Sequence, residues 1–296
     1  MSAIRIAVIG ASGVLGRHVV PRLVEAGHAV RISYRNEATA ARFAHLNADA
    51  MQADLFDGNS LSRLVDGVDA VLHLATAIPK GGGTDWSLND RIRREGTVNL
   101  LAACQRGGVG RYVQQSIAMI LCADDSRPQT EADPVRGDGV LASALDMEAA
   151  VRAADLDWRI VRGGAFYGPG TGREEAWRAA AGAGSLEVPG DGSAYVSLIH
   201  VADMAAAVAA CLDADAPRTI WNAVDDLPVT TAVLMTGIAA RYGGARRRAD
   251  RAAILSRLEC APQIDDDVDA ALPELAVRSR WLKVCRSSTR LLSRRN

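Results

Sequence analysis

Short apolar runs alternate with amphipathic stretches along the first half of the chain. Ile4 to Ile9 is a compact, mostly apolar run that stops at Gly10, the signature of a buried strand. Further strand signals lie at Ala29 to Tyr34, Ala50 to Ala53, Asp69 to Ala75, Arg111 to Ile117 and Trp158 to Arg162. Between them, helical periodicity covers Val14 to Ala26, Glu37 to Leu46, a stretch centred on Leu61 to Val65, Ser87 to Arg106 and Leu141 to Ala154. Gly27 and Gly107-Gly108 end two of these helices, and Gly58-Asn59-Ser60 marks the start of another. Near-continuous apolar strands separated by helices predict a parallel sheet covered on both faces. Right-handed crossovers then predict an α/β fold with a doubly wound parallel sheet of the Rossmann type. After Gly163 glycine and proline become frequent. A strand is predicted over Ala194 to Ile199, a helix over Val201 to Leu212, a strand over Thr219 to Ala223 and a helix over Thr230 to Arg241. The predicted division is a dinucleotide-binding domain over 1–163, with 196–225 returning to it. A smaller C-terminal substrate domain takes 164–195 and 226–296.

The chemistry sits at the first strand-to-helix turn, Gly10-Ala11-Ser12-Gly13-Val14-Leu15-Gly16. Gly10 permits a tight turn, Gly13 lets backbone approach a pyrophosphate, and Gly16 allows close helix packing. The helix start offers free N–H groups to phosphate. The strand before and the helix after supply the context such a glycine triplet needs. Gly10, Ser12, Gly13, Val14, Leu15 and Gly16 are therefore expected to bind a dinucleotide. Strand two ends Ser33-Tyr34-Arg35-Asn36, with no acid at its tip. An arginine there accommodates a ribose 2′-phosphate, so Arg35 favours NADP(H) over NAD. Asp54 and Leu55 follow the third strand, where a carboxylate can accept from an adenine amino group. Leu74, Ala75 and Thr76 follow the fourth strand, where small residues leave room for the cofactor.

Composition narrows the function classes. A net charge of −1 over 296 residues argues against a nucleic-acid binder. No apolar run approaches a membrane span, and the N-terminus lacks the pattern of a secretory leader. The five cysteines, Cys104, Cys122, Cys211, Cys260 and Cys285, are widely spaced and form no CxxC, which fits a reducing cytoplasm. No His/Cys cluster has metal-ligand spacing, so no metal is expected. The Asp265-Asp266-Asp267 run and the arginine-rich stretch from Arg278 read as solvated faces. Only Lys80 and Lys283 among the 34 basic residues are lysine, so a catalytic lysine has two available addresses.

The order of motifs resembles the extended, epimerase/dehydratase-like branch of the short-chain dehydrogenase/reductase superfamily. GASGVLG matches its GxxGxxG. Asp54-Leu55 and the His73 to Ala77 segment match its next landmarks. Gly96 to Ala103 is similar to its GTxNLLxAA helix, Arg162 with Phe166 to Gly170 to its R…YGPG segment, Ile199 to Asp203 to its IHVxD segment, and Trp221 to Ala223 to its YNV strand. The resemblance implies a Rossmann domain, a bound nicotinamide cofactor and a smaller substrate domain. It also implies homodimerisation through the helices at 87–106 and 137–154.

The departures matter more. The branch's proton relay pairs a tyrosine with a lysine four residues on, along one helix face. None of the five tyrosines, Tyr34, Tyr112, Tyr167, Tyr195 and Tyr242, is followed by such a lysine. Aligning Glu148 with the branch's glutamate puts Val140 at the tyrosine and Ala144 at the lysine. The serine position falls on Ile117, with Ser116 its neighbour, and the helix asparagine is Arg93. Ser116 and Tyr167 are the candidate replacements: Ser116 to hold a substrate oxygen, Tyr167 as an acid. His73 and Tyr195 read mainly as packing, and His200, with Asp203 three residues on, as interdomain scaffolding. Lys80, Asp85 and Trp86 sit in a Gly81-Gly82-Gly83 loop that could close over a ligand. The expected function is an NADP(H)-dependent reductase of a small organic molecule, an activated carbonyl, quinone, enone or imine. Two alternatives stand beside it: a non-redox isomerase, cyclase or lyase with structural nucleotide, and a nucleotide-sensing regulator or scaffold.

Overall fold

The computed structural model describes residues 3–79, 83–121 and 127–243. Lys80, Gly81, Gly82, the run at 265–267 and the stretch from Arg278 lie outside the described residues, as do Cys122, Cys260 and Cys285.

Seven parallel strands form the central sheet: β1 (Arg5–Ile9), β2 (Ala29–Tyr34), β3 (Ala48–Gln52), β4 (Ala70–His73), β5 (Arg111–Ile117), β6 (Trp158–Gly163) and β10 (Thr219–Ala223). Their order is β10-β6-β5-β4-β1-β2-β3. The sense of winding reverses between β1 and β4, the switch point at which open α/β sheets take their ligands. Helices α1 (Gly16–Glu25) and α8 (Val201–Asp213) pack together on one face, and α3 (Gly58–Val65), α5 (Thr97–Arg106) and α6 (Ala142–Ala153) line the other. Burial explains the apolar runs. Ile6, Ala7 and Val8 are all 0% exposed, and each fully buried valine or isoleucine is worth about 1.5–3 kcal/mol.

Four local expectations are corrected. The helix expected over Glu37 to Leu46 stops as α2 at Arg42. The start signal of α3 is Asp57, whose carboxylate accepts from the Asn59 N–H at 3.0 Å. The long helix expected over Ser87 to Arg106 is interrupted. A short α4 (Ser87–Arg91) runs into a π-turn (Ile92–Gly96) before α5 begins. The strand expected over Ala194 to Ile199 is two strands, β8 (Tyr195–Val196) and β9 (Leu198–His200), in different sheets.

The chain separates into two compact units. The first holds the described residues up to Gly163 together with Val201–Ala223. The second holds Gly164–His200 and the described residues from Val224 onward. In the second unit β7 (Ala165–Tyr167) pairs with β9, and β8 pairs antiparallel with β11 (Val229–Thr230). Its core gathers Tyr167, Ala181, Leu198, Leu234 and Ile238 from the strands, α7 (Arg173–Ala183) and α9 (Thr231–Tyr242).

Candidate dinucleotide site

The glycine loop lies at the switch point because β1 ends beside β4, with Ile9 opposite His73. Gly10 turns the chain with φ +88°, and a Cβ there would sit 2.6 Å from the Ala75 nitrogen. Only glycine fits a left-handed turn pressed against a neighbouring strand exit. Gly16 meets a second constraint: its Cβ would lie 2.4 Å from the carbonyl oxygens of Gly10 and Ala11. The helix thus starts hard against the loop. The Gly13 N–H donates to Gly10 O at 3.0 Å, and α1 begins without a side-chain cap. Its first turn points backbone donors toward the loop, the arrangement that holds a diphosphate. Ser12 and Gly13 are exposed and Val14 is half-buried. Leu15, Leu55 and Leu74 are buried, at 4%, 8% and 5% exposed. Their side chains serve the core and only their backbone is left to line a ligand.

Beyond the loop, a cleft of about 200 Å³ opens at the ends of β2 and β3, bordered by Arg35, Gln52, Ala53, Asp54, Asp57, Ser60 and Arg63. Asp54 spends one carboxylate oxygen on the Phe56 N–H at 2.8 Å. Asn99 donates to Leu55 O at 2.9 Å and fixes the segment against α5. Neither Arg35 nor Arg63 joins an ion pair among the described residues. Both are exposed, and both residues border the same cleft. A larger cleft, about 460 Å³, lies where β1, β2 and β3 begin, lined by Arg5, His28, Arg31 and Asp49 among others. Its arginines are already engaged: Arg31 with Asp49 at 2.8 Å, and Arg5 with Gly67 O at 2.9 Å. Ligands of open sheets sit at the carboxyl ends of strands, so the smaller cleft is the relevant one.

The structure corrects the role expected for Ser116. The residue is 1% exposed and its hydroxyl donates to Glu148 at 2.6 Å. Glu148 is held from the other side by Arg162, through bonds of 3.0 and 2.7 Å. All three are buried. The serine proton is committed to a carboxylate, so Ser116 positions Glu148 and ties β5 to α6 and β6. Tyr167 is 4% exposed and belongs to the second unit, where its ring meets His200 edge-on at 5.2 Å. The packing role is the one its surroundings favour.

Two side chains gain weight that sequence reasoning did not give them. Asn89 on α4 is fully buried, and its carbonyl oxygen accepts from the Ala77 N–H at 3.1 Å, pinning the segment that follows β4. Arg93 lies one turn further on, in the π-turn. It donates to Val140 O at 3.3 Å and to the Ser143 hydroxyl at 3.2 Å. The resemblance singles out Arg93, at the branch's helix-asparagine position; nothing in the sequence singles out Asn89. His73, beside Ile9, is buried against Tyr112 and Gln114 at 3.1 and 3.0 Å. Burial pushes its imidazole down to about 4, so it stays neutral. No group of three His, Cys, Asp or Glu residues among those described is placed to hold a metal ion.

A family described as NAD(P)H-binding matches residues 10–215, from the first glycine of the loop through α8. The chain belongs to this NAD(P)H-binding family. Among its relatives, the 3-diazoavenalumate denitrifying reductase of a Streptomyces species is 29% identical over 273 residues, covering 86% of each chain. The ceramide reductase of Caulobacter vibrioides is 31% identical over 206 residues, 69% of this chain and 60% of the relative. In structure, the dTDP-glucose 4,6-dehydratase DesIV of Streptomyces venezuelae, solved with NAD and TYD bound, aligns with a TM-score of 0.70. It is 24% identical and the match covers 80% of each chain. The likeness establishes the shared fold and agrees with the resemblance to the extended branch. Among the described residues no helix is long and apolar enough to cross a membrane.

Proposed function

We propose that this member of the NAD(P)H-binding family is an NADP(H)-dependent reductase of a strongly electrophilic small molecule. The observation that carries the choice of cofactor is the pair Arg35 and Arg63 on one cleft at the carboxyl ends of β2 and β3. A ribose 2′-phosphate is the group that two unpaired guanidinium ions at this point suit, through charge-assisted bonds. Asp54, with one carboxylate oxygen still open, suits an adenine amino group. The loop amides from Ser12 to Gly16 suit the diphosphate. Bound NADPH would supply a hydride; the chain's part is to hold the acceptor and manage the charge left behind.

The choice of acceptor rests on the relay positions. Val140, Ala144 and Ile117 stand where the resemblance expects tyrosine, lysine and serine. A simple ketone leaves an alkoxide after hydride addition and needs a proton at once. A quinone or enone leaves a delocalised anion that water can protonate. A diazonium carbon leaves no negative charge, because the electron pair of its breaking C–N bond departs with dinitrogen. The Streptomyces relative is named for a diazo substrate and a denitrifying reduction. An acceptor of this activated kind fits a site without a built-in acid.

The test follows loss of nicotinamide absorbance with an arenediazonium salt, a quinone, an enone and a simple ketone. The expected result is turnover of the activated acceptors, NADPH preferred over NADH, and negligible turnover of the ketone. Replacing Arg35 with alanine should raise KM for NADPH about ten-fold, the size expected for one lost charge-assisted bond, while kcat changes little. Absence of nicotinamide oxidation across the panel, or equal use of NADH, overturns the proposal.

A further inference from the structure

Among the described residues the first unit contains three buried arginines: Arg159 and Arg162 at 1% and 2% exposed, and Arg93 at 6%. Buried cations need a counter-charge, because the low-dielectric interior penalises an isolated ion by several kcal/mol. Arg162 has Glu148 at 2.7 Å and Arg159 has Asp157 at 2.9 Å. Arg93 has none. Among the described residues its hydrogen-bond partners are two neutral oxygens, Val140 O and the Ser143 hydroxyl.

Two of the surrounding carboxylates are spent on other arginines, and the third, Asp90, makes only a loose pair and keeps a buried Oδ1 without a hydrogen-bond partner. Glu95 binds Arg91 at 2.7 Å, Asp146 binds Arg94 at 2.7 Å, and Asp90, on the turn before Arg93, faces Arg94 at 3.7 Å. Arg91 and Arg94 are about half exposed, at 52% and 46% of their side chains. Arg91 and Arg94 therefore each have an acid within 4 Å, whereas Arg93 makes no ion pair among the described residues. Asp90 contributes a favourable field at Arg93 but no ion pair. Burial lowers the guanidinium's proton affinity, yet arginine stays charged in proteins.

Position gives this unpaired charge a use. Arg93 lies in a π-turn, a distortion that concentrates at functional sites. It shares a helix face with Asn89, which is bonded to Ala77, and Ala75 of the same segment abuts Gly10. Asn89, one turn before Arg93, is thus tied to the segment that borders the glycine loop. Val140, which accepts one of its bonds, presents an apolar side chain 43% exposed.

We infer that Arg93 is an anion-recognition residue of the reacting site, supplying the counter-charge for a carboxylate or phenolate oxygen carried by the acceptor. The inference rests on the reductase reading for the word "acceptor" alone; the recognition itself is a matter of binding. The remaining Arg93 N–H groups take the oxyanion, and the Val140 side chain lies against the ligand's apolar body. Such a site selects acidic aromatic or conjugated molecules over their neutral counterparts.

The test is calorimetric titration of the full chain, in saturating NADP, with cinnamate and with cinnamamide. The two probes have the same skeleton and differ in charge. The parent should bind cinnamate at least ten-fold more tightly. R93M should abolish that preference while leaving cinnamamide affinity and NADP affinity unchanged, and R93K should keep part of it. A parent that binds neither probe, or both equally, overturns the inference, as does an R93M variant that keeps the preference. If R93M does not fold, the parent's ratio and its retention in R93K decide the matter. Charge discrimination without nicotinamide oxidation by any acceptor would sink the reductase reading and leave Arg93 in its role.

Discussion

His73 shows what a single buried side chain costs and contributes. Its imidazole is 1% exposed, touches Tyr112 and Gln114, and has its second ring nitrogen without a partner. Desolvation lowers its pKa from 6.5 to about 4, against a smaller opposing effect from the Gln114 bond. The folded chain therefore binds this proton less readily than the unfolded chain. Its contribution to stability is complete above pH 6.5 and is lost as pH falls toward 4. The loss amounts to roughly 3–4 kcal/mol by linkage. A His73→Leu variant should flatten this part of the stability profile, since Tyr112 and Gln114 can still bond each other at 2.7 Å. Urea melts at a series of pH values check it, and an unchanged slope in the variant would refute the assignment. At this scale the sequence was a good guide where backbone geometry dictates the residue, as at Gly10 and Gly16. It was a poor guide for Ser116, because a hydroxyl at a strand end reads the same whether it faces a ligand or a buried carboxylate.

Among elements, the bond set of Ser116, Glu148 and Arg162 joins β5, α6 and β6. The register makes this join natural, since Ser116 stands opposite Arg162 across the two strands. Replacing Glu148 with alanine leaves Arg162 buried and uncompensated, and should cost about 3–5 kcal/mol. Ser116→Ala removes one hydrogen bond and should cost roughly 1 kcal/mol. Thermal and denaturant melts give both values, and equal effects from the two variants would contradict the arrangement. The elements themselves were mostly legible, because strands buried on both faces write continuous apolar runs. The π-turn was not: Ile92 to Gly96 keeps helical periodicity, and the extra residue per turn leaves no mark on a pattern of this length. The strand β7 and helix α7 escaped because glycine frequency around 168–172 reads as loop.

For the molecule as a whole, the strand order places the glycine loop, the segment after β4 and the arginine-bordered cleft along one edge of one sheet. The doubly wound fold was readable from alternation and the tight turn after β1 from the GASGVLG spacing, since both follow from backbone constraints. The substrate was not readable, because none of the five tyrosines is followed by a lysine four residues on, and an absence names no substrate. The charge pattern around Arg93 appears only when helices and their partners are assembled. The most direct measurement is a titration of the full chain with NADPH and NADH, for the parent and for Arg35→Ala, followed by nicotinamide fluorescence. Saturable NADPH binding, at least ten-fold tighter than NADH in the parent and level with it in the variant, is the predicted result. Binding of neither nucleotide, or an NADPH preference that survives loss of Arg35, would contradict it.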